Sequence, residues 1–481
     1  MRKLSSVLAD YRGAGYVVAP AGYGKTHLIA ESTAHSTGRQ LILTHTYAGV
    51  NALRGRMRTL GVNHQLYRID TIASWALRLS LAYSGISGWD EERPADSERW
   101  NALYQALSRL LDHTFIRRII CASYDGLYVD EYQDCSTAQH GLILKLARDL
   151  PIRVFGDPLQ GIFDFEGQNS VDWARDVEGS FECLGVLNVP YRWMNAGADD
   201  LGRWLHDVRT RLEQDQPVNL NVGRPAEVTF TQADAHPQAL IRSQANVCRY
   251  FGCERGHTLI AIHKGSQDYK AKCHTLSRNL GGKFSSIEEV EGKELFSFIR
   301  KLDRAQAGGD RLKEVVTFAK RCMTAVQQNL PAGTARGEHV KIQAKTRNPQ
   351  VAREANAYLA TLDSSAIKDF LWALQQTEGV GIVRGDLFYR AIGVLDKAIL
   401  HPELSLTEAA DKFHNEFRHK GRPIRHSRLI GTTLLVKGLE FDHAIVLDAT
   451  SLSKKELYVA LTRGARSLTI ISTRSVLNPG R

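Results

Sequence analysis

Cysteine is scarce in this sequence: seven residues in 481, odd in number, scattered, and with no two in a C-x-x-C spacing. That pattern excludes a disulfide framework and suits a reducing compartment. Long apolar runs are missing as well. No stretch reaches the ~18 uninterrupted apolar residues that cross a membrane, and Met1 to Asp10 has no extended apolar segment of the secretory kind. The expectation is a soluble cytoplasmic protein with no membrane partner. Internal repeats and low-complexity tracts are also missing, which removes the solenoid and disordered classes. Acidic residues are the minority charge, 52 Asp and Glu against 62 Lys and Arg, giving a formal charge of +10 and a pI near 9.2. Phosphate backbones are natural partners for such a surface. A hydrophobic content of 43% lets the chain bury several cores, and its length predicts roughly two to four domains.

One crowded stretch, Cys248, Cys253, His257, His263, Cys273 and His274, carries metal-ligand residue types. Without a paired C-x-x-C, and with the strand-like run Leu259 to Ile262 inside it, it reads as ordinary thiols and imidazoles rather than a zinc site.

What is present is chemistry for phosphate. Ala19 to Thr26 reads Ala-Pro-Ala-Gly-Tyr-Gly-Lys-Thr, after an apolar run from Tyr16 and before a helix beginning at Lys25. The context is strand, loop, helix, as a phosphate loop requires. Backbone amides of Gly22, Gly24 and their neighbours would cradle phosphates at a helix N-terminus. Lys25 would neutralise the β- and γ-oxygens, and the Thr26 hydroxyl would ligate Mg²⁺. Ala19 replaces the first glycine of the general pattern. Downstream, the apolar run Leu127 to Val129 delivers Asp130 and Glu131 to a strand's C-terminal end, where open α/β sheets bind ligands. Asp130 would hold Mg²⁺, and Glu131 would orient and deprotonate the attacking water.

The run DEYQDCSTAQ from Asp130 to Gln139 resembles motif II of the UvrD/Rep/PcrA group of superfamily 1 DNA helicases. Further runs follow in that group's order: THTY (Thr44–Tyr47), DTIASW (Asp70–Trp75), FGDPLQGIFDF (Phe155–Phe165), LNVPYR (Leu187–Arg192), KGLEFD (Lys437–Asp442) and YVALTRG (Tyr458–Gly464). The resemblance spans nearly the whole chain. It implies that Gln160 senses the γ-phosphate, that Arg192 and Arg463 act as arginine fingers, and that Glu440 contacts the nucleotide. It also implies ATP or another NTP with Mg²⁺, single-stranded or tailed duplex DNA as partner, and 3′-to-5′ movement. Thr46, Thr71, Trp75, Phe163 and Phe165 lie where the family contacts DNA. Phenylalanines among apolar residues are as readily core as stacking platforms, and Trp75 shares that ambiguity.

The fold implied is α/β, with two RecA-like P-loop NTPase domains carrying short helical insertions. Residues 1–192 form the first, with a 1B-like insertion at about 80–120. Residues 193–298 and 425–481 form the second, and 299–424 form a basic, helical 2B-like insertion that includes Arg311, Lys313, Lys320, Arg321, Lys341, Lys345 and Arg347.

Departures from the family shape a second expectation. Residues 1–24 contain no glutamine to read adenine, Ala73 and Leu434 stand where histidines are usual, and Glu166 replaces an arginine. The compact plan also resembles the helicase subunit of the Gabija antiphage system. That resemblance implies a DNA-sensing NTPase that activates a separate nuclease partner with little unwinding.

Overall fold

The computed structural model describes residues 3–92, 94, 96–162, 170–289, 292–420 and 426–478, the side chains of Ser97 and of 418–420 excepted. Two six-stranded parallel sheets organise it. The first takes β1 (Ala14–Val18), β2 (Gln40–Thr44), β3 (Tyr67–Thr71), β4 (Gly126–Val129), β5 (Ile152–Gly156) and β6 (Glu182–Val186), in the order β3-β2-β4-β5-β1-β6. Its central strands read as continuous apolar runs, and β2, β4 and β5 are buried at every position. Parallel strands covered by helices on both faces require that composition. Leu41, Leu127, Val154 and Ile152 pack on one face, and Val17, Ile42, Tyr128 and Phe155 on the other. The fold is the expected α/β class, with two parallel sheets flanked by helices.

A short antiparallel pair, β7 (Val218–Asn219) with β14 (Val476–Leu477), stands apart from the second sheet. That sheet comprises β8 (Val228–Gln232), β9 (Leu259–His263), β10 (Ser285–Ser286), β11 (Arg428–Thr432), β12 (Phe441–Val446) and β13 (Gly464–Ser472), ordered β10-β11-β9-β12-β13-β8. Between β10 and β11 lies a helical unit, from Lys293–Arg304 through Leu406–Lys420, with its own core around Phe298, Phe318, Phe370 and Phe388.

Four expected boundaries fall inside helices. Position 298 lies within Lys293–Arg304, whose Leu295, Phe298, Ile299 and Leu302 all face the insertion's core. Position 192 lies within Tyr191–Asn195, and Trp193 packs into the second domain beside Leu201 and Leu205. Position 80 lies within Ile72–Ala82 and position 120 within Thr114–Ser123, the last of the insertion's own helices after Ser84–Ser87 and Ser97–Leu110. Motif spacing marks chemistry; a helix ends where its caps and packing end it.

Candidate active site

The loop after β1 turns through Gly22 and Gly24, both at positive φ (79° and 87°) where a side chain would be strained. The helix Lys25–His35 starts directly after Gly24, so its unpaired amides face the loop. Lys25 then reaches across to β4. Its ammonium lies 2.8 Å from Asp130 Oδ1 and also bonds Glu131 Oε1. Burial opposes this charge, but the two carboxylates more than offset it and hold Lys25 above the usual lysine range.

Glu131 adopts a left-handed backbone, φ 57°, which bulky residues seldom accept and which clusters at functional sites. Burial disfavours its charge, yet Lys25 and Lys437 outweigh that and bring its carboxyl down to about 2. Asp130 moves the other way, raised chiefly by burial. Two adjacent acids in one pocket are thereby driven apart, Glu131 toward its ionised form and Asp130 toward its neutral one. Carboxylate and hydroxyl oxygens are the hard donors Mg²⁺ takes, and a cation, the Lys25 ammonium, already sits against both acids. Asp130 and Thr26 would hold the metal, which would supply charge neutralisation at the phosphates.

Behind the acids, Gln133 donates to Glu131 Oε2 (2.5 Å) and accepts from the Asp157 amide (3.0 Å). Asp157 Oδ2 in turn accepts from Gln160 Nε2 at 2.9 Å. Backbone and side-chain bonds therefore run without a gap from the acid pair to Gln160.

The second domain supplies the opposite wall. The Arg192 amide donates to Gly22 O at 3.0 Å, and its guanidinium bonds Thr462 O (2.6 Å) and Glu440. Arg463, 1% exposed, donates to Val459 O and Leu439 O and lies 3.5 Å from Gln160 Oε1. Burial and the nearby Arg192 charge lower it to about 10, so it remains cationic at neutral pH. Lys437 crosses the cleft to Asp134 Oδ1 at 2.5 Å and to Gln160 O. Gly22, Gly24, Lys25, Asp130, Glu131, Gln160, Arg192, Glu440 and Arg463 thus converge on one cleft, and Thr26 follows Lys25 in the first turn of the helix.

The residues expected at DNA divide differently. Thr46 is exposed and caps the helix Tyr47–Thr59 by accepting from the Gly49 amide. Thr71 is 3% exposed and caps Ile72–Ala82. Trp75, 5% exposed, packs in the first domain's core with Ile72, Ala76 and Leu43. Of the two readings left open for Trp75, its burial supports core packing. Trp75→Ala is expected to cost about 3–5 kcal/mol of stability; denaturant unfolding checks it, and an unchanged midpoint would contradict the burial. Phe163, Phe165 and Glu166 lie outside the described residues.

Cys248 and Cys273 sit in the apolar layer under β9, where burial pushes both thiols up to about 12. Among the described residues, three metal-ligand types meet only at His274, Glu288 and Glu294. Arg384 already bonds both of those carboxylates, at 2.6–2.8 Å.

Sequence reading missed Gln133, Asp157, Lys437 and Tyr191. All four lie in the quoted runs, near residues given roles. Tyr191 precedes Arg192, is 50% exposed, and lies so near Gly24 that a Cβ there would be 3.2 Å from its ring.

Comparison with known proteins adds family context. Residues 97–171 match the model of the UvrD/REP helicase N-terminal domain, a stretch that includes Asp130, Glu131 and Gln160 and is well under half of the chain. No curated protein matches the chain. Among solved structures, an Arterivirus nonstructural protein 10 helicase aligns at 10% identity and TM-score 0.35, over 98% of this chain and 60% of the other. The same helicase with DNA aligns at TM-score 0.36 and 10% identity, over 98% and 62%. A Bacteroides Pif1 helicase with ADP-AlF3 and single-stranded DNA gives 0.40 at 10% identity, over 99% and 92%. The chain therefore spans about three fifths of the viral helicase it aligns with.

Proposed function

We propose that the protein is an NTP-driven DNA helicase or translocase of the UvrD type, hydrolysing ATP with Mg²⁺ between its two RecA-like domains. The observation that carries this reading is the cleft itself. Lys25, Asp130, Glu131 and Gln160 stand on one domain, with Arg192 and Arg463 facing them from the other. A transferring phosphoryl group spreads charge over its oxygens, and guanidinium donors from a second domain stabilise it only when the cleft is closed. Hydrolysis is then coupled to domain movement, and the 3′-to-5′ direction follows from the family resemblance. The half-exposed Tyr191 ring beside Gly24 offers any base a stacking face. With no upstream glutamine, the protein accepts GTP or dATP as well as ATP in this reading.

A second reading, a DNA-sensing NTPase that licenses a nuclease partner, is favoured by Leu434. It presses on the turn at Gly265, where a Cβ would lie 2.8 Å from its side chain. An apolar contact replaces the family's polar coupling position.

Hydrolysis of ATP, GTP and dATP with and without single-stranded DNA, beside unwinding of a 3′-tailed duplex, separates the two. DNA-stimulated turnover with strand separation supports the motor, and stimulated turnover without it supports the sensor. Turnover indifferent to DNA refutes both. If the strand is tracked through about six phosphates, log affinity should fall against log salt with a slope of about −4. A flat salt response in a binding titration would remove the phosphate-tracking groove.

A further inference from the structure

We infer that Arg209 is a positioning residue for NTP hydrolysis, one that locks the Gln160 loop and the Arg463 helix into a single register. The inference rests on the nucleotide-hydrolysis reading above and adds to it a residue outside every signature run. Arg209 lies on the helix Asp199–Glu213 and is 5% exposed. Its guanidinium meets Asp157 Oδ1 at 2.7 Å, the Tyr458 hydroxyl at 2.9 Å and Glu213 Oε1 at 2.8 Å. Asp157, fully buried, belongs to the first domain and holds Gln160 through its other oxygen. Tyr458 belongs to the second domain's helix Lys454–Leu461, which leads directly into Arg463. The same Tyr458 hydroxyl accepts from the Ala21 amide of the phosphate loop at 3.3 Å.

One side chain is thus the common partner of the γ-phosphate loop and the finger helix, while its second partner reaches the phosphate loop. Stability alone is a poor reason to bury that charge, since well-packed apolar residues often replace buried ion pairs at no loss. Geometry is the better reason. A planar guanidinium holds its N–H groups at fixed angles, Nη1 donating to both the Asp157 carboxylate and the Tyr458 hydroxyl while Nη2 is held by Glu213, an arrangement that a lysine ammonium on a flexible stem does not reproduce. With the guanidinium removed, Asp157 still binds Gln160 and Leu159 still packs in one core with Leu457 and Tyr458, but the hydrogen bonds that join Asp157 to Tyr458 are gone, and the 3.5 Å approach of Arg463 to Gln160 loses their directional support.

The test compares wild type with Arg209→Met, Arg209→Lys and Tyr458→Phe for kcat, KM for ATP, and Tm. Phe370→Leu, buried in the insertion's core, serves as a stability control. Arg209→Met should lower kcat about 10–100-fold with KM within about threefold, since a misplaced group costs the chemical step more than ground-state binding. Arg209→Lys should recover part of that loss. Tyr458→Phe should lower kcat less, and its effect should not add to that of Arg209→Met. Should Arg209→Met fail to fold, the lysine and phenylalanine variants carry the same comparison. A kcat within about twofold of wild type in the variants that fold, or a loss matched by Phe370→Leu at equal Tm, overturns the inference. A wild-type chain without NTP turnover ends the parent reading and this inference together.

Discussion

Arg463→Ala is expected to lower kcat by about three orders of magnitude while leaving nucleotide affinity within a few-fold, because finger arginines act on the transition state. The structure explains why the effect should be so uneven. Among the described residues Arg463 is anchored by carbonyls, Val459 O at 2.9 Å and Leu439 O at 3.0 Å, rather than by a carboxylate. Burial first and the Arg192 charge second lower it to about 10, Glu440 and Glu131 offset only part of that, and no carboxylate counterion among the described residues bonds it directly. Negative charge developing on a phosphoryl group would supply that counterion. Arg463→Lys keeps the charge and loses the fork, so it should rescue little. Steady-state kinetics with an equilibrium nucleotide titration separates kcat from affinity. An alanine variant that loses binding and rate equally would reassign Arg463 to ground-state recognition.

Lys25→Ala should remove turnover altogether, a loss of about 10³-fold or more, and weaken nucleotide binding as well. In the wild-type chain the Lys25 ammonium is shared between Asp130 and Glu131. Without it two neighbouring carboxylates face each other, opposed by Lys437 from across the cleft, and an incoming triphosphate meets repulsion in place of neutralisation. Glu131→Gln gives the contrast: it removes the base but keeps Lys25, so nucleotide should bind and stall. A fluorescent nucleotide titration beside a phosphate-release assay checks both. Turnover within tenfold of wild type in Lys25→Ala would dismiss the assigned site.

Much of this was legible locally. A phosphate loop and an acid pair at a strand end are short, contiguous patterns whose residue types have few other uses, and the alternation of apolar runs with helical spacing exposes the α/β class. Arg192 and Arg463, far apart in sequence, were readable only through the family resemblance, because no spacing rule joins positions brought together by domain closure. Arg209 left no signal. In DDLGRWLHDVRTRLE an arginine among aspartates looks like a solvated face, and only the neighbouring domain makes it a buried one. Trp75 was left open between core and stacking. Its place in a DNA-contacting run said nothing about its burial in the core that also holds Ile72 and Leu43. Local chemistry survives translation into sequence; burial is a property of what arrives from elsewhere.

The strand order of the second sheet sets the sequence of events as the chain is made. β8, β9 and β10 all precede the helical insertion, yet none of them pairs with another. β8 lies against β13, β10 against β11, and β9 between β11 and β12. Leu259–His263 is buried at all five positions, but its first neighbour, Arg428–Thr432, is synthesised only after the whole insertion. At translation rates of roughly 5–20 residues per second, that strand waits on the order of ten seconds with both edges unpaired. The insertion, whose contacts are largely between neighbouring helices, can fold in the meantime. The sheet therefore stays open from the emergence of β8 until that of β13, with β9 gaining its first neighbour at β11 and its second at β12.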